Sequence, residues 1–399
     1  MDRSIKHIED SIVIDTLLAD KTLNFIAFVI SPWHVISLEA SLLYLRALGM
    51  DMKGIVCIIK HPKTGYAVNI EDLVLDEVAM VAFTENAYLY PHRKPTMSQW
   101  QVFLSHRKQN LNIYGHVLLG GVRWSEKQRT IFLMNPWKIN YAVGLRLWKN
   151  GCFVRYVTFD EGVGNYILPE SSTYYWSNLH SIRECKTFFT HYVLCEVGIP
   201  YFHHVINTCA FSKHNGVGCS LNSRLAPFYQ RAICLHGASV CFPYDLSHKI
   251  VICTSVLYDN VFADDEDIRV WKEICNALHK VGFQLLLKTH PRDTYFETLA
   301  EELHCVVLAG HQTIEDLCSY SKPIAVIAHH STALVTVSAF FSVLSICITD
   351  LFDRRKISSD FLSGIDLYKQ TFSSFVSFPK DTDECIKMLL DEKQRHIRK

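Results

Sequence analysis

Three short polar clusters carry the residue types that could do chemistry. The stretch "VRYVTFDEGVGNY", residues 154 to 166, sets Asp160 and Glu161 side by side after an apolar run and before Gly162 and Gly164. A carboxylate there could take a proton from an incoming hydroxyl, an effect on the order of 10²–10⁴-fold in rate. Adjacent carboxylates also cap ordinary turns, so the dipeptide alone does not decide between the two roles. Like charges in neighbouring positions raise one pKa of a pair, which would suit that member to act as a base near neutral pH.

The second cluster is "LLLKTHPRD", with His290 and Pro291 directly after a strand-like run and Lys288 and Arg292 flanking them. Proline keeps the loop extended, so the imidazole is held outside the sheet edge. A histidine so placed can donate a hydrogen bond or a proton to a leaving phosphate, and the alternative is a plain surface turn. The third is "IAVIAHHSTALVTVSAF", where Ser331 and Thr332 stand between an apolar strand and a helix-forming run. Hydroxyls and free N–H groups at a helix start bind phosphate without a metal, although Ser and Thr are also simple N-caps. His329 and His330 are neighbours on an extended segment and point to opposite faces, which argues against a shared metal. Upstream, "HQTIEDLCSYS" places Glu315 in a short helix, where its carboxylate could bridge two ribose hydroxyls.

What is absent narrows the chemistry. Neither a G-x-x-x-x-G-K-[ST] loop nor a G-x-G-x-x-G turn occurs, so no P-loop or dinucleotide fingerprint is present. No H-E-x-x-H and no C-x-x-C signals zinc. The acidic run in "ADDEDIRVW" has the spacing of a cation site, but acidic residues in a first helical turn are accounted for by the helix dipole. With no metal expected, a phosphate would be balanced by His290, the Ser331–Thr332 helix start and nearby Lys or Arg.

The elements that must position these clusters alternate in kind. "LNFIAFVI", "KGIVCIIK", "EVAMVAF", "RTIFLMN" and "CFVRYVTF" read as strands, with helical stretches such as "ISLEASLLYLRALG" and "NYAVGLRLWKNG" between them. The segment from about Tyr174 to Asp245 is less regular. Alternation then resumes with "HKIVICTSV", the amphipathic "EDIRVWKEICNALHKVG", "FQLLLKTH", "CVVLAG", "IAVIAH" and "VLSICIT". This predicts an α/β chain of two doubly wound Rossmann-like domains: 1–240, 246–380, and a C-terminal helix or tail over 381–399. Ligands in such sheets bind beyond the carboxyl ends of the strands, so the expected site is an inter-domain cleft. Each polar cluster falls at such an end.

Composition sets the outer limits. The chain has 399 residues, 49% of them hydrophobic, enough to fill two cores. Lys+Arg and Asp+Glu are both 40, so no bulk field recruits nucleic acid. The 14 cysteines without C-x-x-C pairs and the opening "MDRSIKHIED" predict a reduced, cytoplasmic chain. No apolar run reaches the roughly 18–20 residues of a membrane span, so any membrane association would be peripheral. The basic stretches "YPHRKP" and "SHRKQ" and the tail "DEKQRHIRK" could touch an anionic chain or membrane, or be solvated.

Taken in order, the carboxylate pair with Gly, the Lys-x-His-Pro loop and the Ser/Thr pair resemble those of the bacterial sialyltransferases. The pattern is similar in particular to the bacterial polysialyltransferase family and the lipooligosaccharide sialyltransferases. "SPWHVISLEA" is similar to the opening of those chains, and "DEGVGNY" resembles their E-E-G-x-G-x-Y form. The resemblance covers about residues 24 to 345. It implies a GT-B fold and a metal-independent, inverting transfer of sialic acid from CMP-sialic acid, with no cofactor. It further implies that Asp160 deprotonates the acceptor hydroxyl, that His290 assists departure of CMP and that Ser331 and Thr332 hold its phosphate. Glu315 falls where relatives place a ribose-binding carboxylate, and Lys288, Thr289 and Pro291 would lie near the nucleotide. Glu161, and Asp259 in "TSVLYDN", stay open as alternatives for the base.

The implied function is a sialyltransferase that builds or caps a capsule or lipooligosaccharide, with a nucleotide-sugar donor and a glycan acceptor as its partners. Three rivals remain: a GT-B transferase using another donor such as CMP-Kdo, a CDP-alditol phosphotransferase, and a non-catalytic nucleotide-binding subunit.

Overall fold

Phe25–Val29 is apolar at every position and buried throughout, the signature of a strand covered on both faces. A computed structural model bears this out, and describes residues 5–60, 65–85, 129–135, 143, 147, 150–160, 162–163, 166, 205–213, 218–238, 245–254, 261–262, 265–290, 299–308 and 312–398. The chain divides into two compact units, one of residues 1–160 with 169–208 and the other of 161–168 with 209–399.

In the first unit the described strands are β1 (Lys6–Glu9), β2 (Phe25–Val29), β3 (Gly54–Ile59), β4 (Val78–Thr84), β5 (Thr130–Asn135), β6 (Phe153–Thr158) and β7 (Val205–Asn207). They form one sheet in the order β1-β4-β3-β2-β5-β6-β7, parallel throughout. The order reverses between β2 and β5. Two helices precede β3: α1 (Val13–Ala19) and α2 (Pro32–Ala47). The second starts earlier than the "ISLEA" pattern suggests, because Ser31 caps it and Pro32 occupies its first turn. The core joins Leu17, Ile26, Phe28, Ile55, Cys57, Leu133, Leu147 and Tyr156. At the foot of β3, a Cβ on Gly54 would lie 2.2 Å from the Phe25 carbonyl oxygen, so only glycine fits there.

The second unit opens with a hairpin of β8 (Phe211–Lys213) and β9 (Cys219–Leu221), then α3 (Ala226–Ala238). There follow β10 (Lys249–Cys253), α4 (Glu266–Lys280), β11 (Gln284–Lys288), β12 (Val306–Val307), α5 (Ile314–Tyr320), β13 (Ala325–Ala328), α6 (Thr332–Phe341), β14 (Leu344–Cys347), α7 (Ser359–Phe372) and α8 (Thr382–Arg398). The sheet runs β12-β11-β10-β13-β14, again all parallel. From β10 the chain builds outward through β11 to β12, then returns to the other side of β10 with β13 and β14.

The segment read as irregular therefore holds β7, the β8–β9 hairpin and α3. Residues 209–240 group with the second unit rather than the first. Close packing explains why: a Cβ on Gly237 of α3 would meet the Ser319 hydroxyl of α5 at 2.0 Å. At the C-terminus, α8 is built into the same unit, with Cys385 and Leu389 in a core shared with Trp271, Ile274 and Phe352. Thr382 donates to the Glu273 carboxylate of α4 at 2.8 Å. Among the described residues no helix is long and apolar enough to cross a membrane.

Candidate functional site

In the second sheet the strand order reverses between β10 and β13, and ligands of such sheets bind outside the carboxyl ends at that point. The residues leaving β10 are Cys253 and Thr254, and those leaving β13 are His329, His330, Ser331 and Thr332. The third cluster of the sequence thus falls at the reversal.

Ser331 is the N-cap of α6, with extended backbone at φ −164° and ψ 150°. Its Oγ accepts the Ala333 N–H at 3.2 Å, and its carbonyl accepts the buried Tyr368 hydroxyl at 2.9 Å. Both side chains of the Ser331–Thr332 pair are half-buried. Thr332 Oγ1 accepts the backbone N–H of Val163 at 3.1 Å, within the second unit. Gly162 approaches so closely that a Cβ would lie 2.5 Å from that oxygen, and its φ of +118° is left-handed backbone open to glycine. Each hydroxyl spends a lone pair on a protein N–H and keeps its own proton to donate. The partial positive charge of a helix start adds to those donors.

The two histidines before this pair are both packed among aromatic rings, and those rings touch one another through Phe262 and Phe361. His329 is fully buried; its Nε2 accepts the Trp271 indole N–H at 3.1 Å, and Phe262 and Phe352 flank the ring. Burial pulls its pKa down to about 3. His330 packs on Phe361 and Tyr368, and burial brings it to about 4. Both are neutral packing groups at ordinary pH. Among the described residues no group of three or more His, Cys, Asp or Glu is assembled that could hold a metal ion.

The second cluster lies on the adjacent strand end. Thr254 N–H bonds to the Lys288 carbonyl at 3.1 Å, and its hydroxyl oxygen accepts the His290 N–H at 2.9 Å. Thr254 is 4% exposed, whereas Lys288, Thr289 and His290 are half-buried. Burial lowers the pKa of Lys288, opposed by Cys253, Asp316 and Glu315, so a cation and two carboxyl groups act on one another there. Pro291 and Arg292 lie outside the described residues.

Glu315 and Asp316 open α5. Thr313 and Asp316 cap each other reciprocally, with N–H to side-chain distances of 2.9 and 3.1 Å. Glu315 is buried and hydrogen-bonded to the Thr336 hydroxyl one turn into α6. Burial raises its pKa. In this conformation the carboxylate is turned inward, bracing α6.

In the first unit, Asp160 follows β6 and is 1% exposed. Phe159 before it donates to the Asn135 carbonyl at 3.3 Å, and Thr208 grips the Thr158 carbonyl through both N–H and hydroxyl, at 2.8 and 2.9 Å. The Thr208 hydroxyl also meets that of Ser41 in α2 at 2.6 Å. His34, in the "SPWH" start of α2, is buried edge-on to Phe159 with ring centroids 6.3 Å apart, and its Nδ1 accepts the Ile30 N–H at 3.3 Å. Glu161 and Asp259 lie outside the described residues, as do "YPHRKP" and "SHRKQ".

Several site residues escaped the sequence reading. Thr254 ends a strand beside the reversal, a position that strand order alone would have marked. Tyr166, the tyrosine of "DEGVGNY", is an anchor: its hydroxyl accepts the Phe211 N–H at 3.1 Å and its ring meets Phe211 and Phe372 edge-on. Nothing in the local sequence announced the seat of Gly162 and Val163 on Thr332.

Comparison with known proteins completes the picture. The sequence matches the family model described as Alpha-2,8-polysialyltransferase (POLYST) over residues 25–349, most of the chain. No curated protein sequence matches. Similar solved structures include an Escherichia coli heptosyltransferase with ADP-2-deoxy-2-fluoro heptose, at 10% identity, TM-score 0.41 and coverage of 92% of this chain and 99% of that one. Another is the α/β-galactoside α-2,3-sialyltransferase of Photobacterium phosphoreum, at 12% identity and TM-score 0.42, covering 94% and 99%. A third is the UDP-GlcNAc 2-epimerase of Methanocaldococcus jannaschii, at 11% identity and TM-score 0.45, covering 93% and 92%. Likenesses this distant carry no weight beside the family match. On that match, the chain belongs to the alpha-2,8-polysialyltransferase (POLYST) family and is a glycosyltransferase of the sialyltransferase type.

Proposed function

We propose that the protein transfers sialic acid from CMP-sialic acid to a hydroxyl of a cell-surface glycan such as capsule or lipooligosaccharide, with inversion and without a metal. The observation that carries the reading is the family match over residues 25–349, joined to the position of the Ser331–Thr332 helix start at the strand-order reversal. On this reading Ser331 and Thr332 donate hydroxyl protons to the CMP phosphate, and the α6 dipole offsets its charge. His290, set by Thr254, gives a hydrogen bond or proton to the departing phosphate oxygen. Lys288 adds positive charge beside the nucleotide. The buried carboxylate of Glu315 reaches the ribose only by exchanging its Thr336 partner for a sugar hydroxyl. Asp160 takes the acceptor proton, with Glu161 and Asp259 as alternatives.

The test is a thermal-shift series with CMP, CDP, UDP, ADP and GDP on the purified protein. Preferential stabilisation by CMP is the expected result. Preference for CDP would favour a phosphoalditol donor, and preference for UDP, ADP or GDP would remove CMP-sialic acid as the substrate.

A further inference from the structure

The seat of Gly162 and Val163 on Thr332 assigns that threonine a second task. We propose that Thr332 is a positioning residue for the carboxylate-bearing loop, latching its backbone through the hydroxyl oxygen while the hydroxyl proton stays available for the donor phosphate. This deepens the sialyltransferase reading and rests on it for the identity of the donor alone.

The geometry is specific. Oγ1 of Thr332 is an acceptor for the Val163 N–H at 3.1 Å, and a hydroxyl that accepts one hydrogen bond still has one proton to give. The side of the latch formed by α6 is braced: Tyr368 holds the Ser331 carbonyl, Ser331 caps Ala333, and Glu315 is bonded to Thr336 behind the first turn. The loop side is shaped to fit. Gly162 has φ +118° and no room for a Cβ, and three residues after Val163 the chain is pinned again by Tyr166 on Phe211 and Phe372. Val163 and Tyr166 are thus each fastened within the second unit, and Glu161 comes two residues before Val163 in the sequence. A chain of the form N–H···O–H···phosphate is mutually polarising, so an anion taking the Thr332 proton strengthens the bond to Val163. Occupancy of the donor site would then be felt at the Val163 amide.

The experiment compares wild type with T332S, T332V and G162A by amide exchange over residues 162–166, with and without CMP, and by steady-state kinetics. T332V should speed exchange at Val163 about fivefold, the change a lost hydrogen bond of ~1 kcal/mol produces, while T332S keeps the slow rate. CMP should slow exchange further in wild type and T332S but not in T332V. G162A sets a methyl group against Thr332 Oγ1 and forces the latch apart from the loop side, so it should speed exchange at Val163 as T332V does and lose kcat at least tenfold. Unchanged exchange in T332V would overturn the proposal, and so would a G162A enzyme of normal kcat. If no sialyl donor is turned over, the exchange comparison without nucleotide still decides the latch, so its failure is separable from failure of the sialyltransferase reading. Melting temperatures and far-ultraviolet dichroism identify any variant that fails to fold, and if T332V does, G162A against wild type carries the exchange comparison.

Discussion

The backbone N–H of His290 is tied to the hydroxyl oxygen of Thr254 at 2.9 Å, so the end of β11 is fixed by the end of its neighbour β10. The bond sets where the imidazole starts from, on a threonine that is itself buried. T254V removes the acceptor and leaves the His290 N–H without it, while preserving shape. Sialyl transfer should fall about tenfold with stability lowered by roughly 1–3 kcal/mol. H290A should lose on the order of 10²–10⁴-fold in kcat, the usual span for a missing acid or base. Steady-state rates alongside thermal melts separate the two effects.

The core histidines give the fold a defined response to acid. His329 at about 3 and His330 at about 4 have native pKa values below that of an unfolded histidine, because burial disfavours the cation. Below pH 6.5 the unfolded chain binds protons that the native chain does not, so stability falls with pH, by up to about 1.4 kcal/mol per unit for each histidine. Melting temperature should drop steadily from pH 6.5 toward pH 4. H330F, which keeps an aromatic ring beside Phe361, should halve that slope.

Glu266 acts in a lower window. Its carboxylate is 1% exposed, bonded to Arg269 at 2.7 and 3.0 Å and to the Asp353 N–H at 3.1 Å. The Arg269 guanidinium holds its pKa down to about 2. A depressed carboxylate stabilises the fold above its unfolded pKa, and the contribution, on the order of 3 kcal/mol, is lost between pH 4.5 and 2. E266Q should lower the melting temperature at pH 7 and flatten the acid limb. Glu266 is accordingly a structural brace that ties the first turn of α4 to the backbone at Asp353.

Gly54 tests the first sheet. Its missing side chain leaves room for Phe25, whose carbonyl and ring would lie 2.2 and 2.5 Å from an added Cβ. The nearest atom is backbone and cannot swing aside. G54A should destabilise the protein by more than about 2 kcal/mol, seen as a lower denaturation midpoint with an unaltered slope.

How much of this could be read beforehand depends on the kind of signal. Runs such as "NFIAFVI", "KIVIC" and "IAVIA" became β2, β10 and β13 because continuous apolar stretches have few ways to be buried. β1 was missed for the converse reason: only Ile8 of Lys6–Glu9 is buried, so an edge strand left no periodic trace. The clusters at the ends of β6, β11 and β13 were legible as residue types, and their strand-end placement followed from the strand assignments. What one dimension hides is pairing across long separations. Thr254 with His290, Glu315 with Thr336 and Val163 with Thr332 are made by strand order and helix packing, so no local pattern encodes them. The burial of His329 against Trp271 is of the same kind.

The most direct test of the central claim is sialyl transfer itself: release of CMP from CMP-sialic acid by the purified protein with a sialoside or galactoside acceptor, in excess chelator, beside D160N, E161Q and H290A. The account expects chelator-resistant turnover by the wild type, with the product's new linkage inverted relative to the donor, and loss of turnover in H290A and in at least one carboxylate variant. Absence of sialyl transfer alongside turnover of another nucleotide-activated donor, or full activity in all three variants, would contradict it.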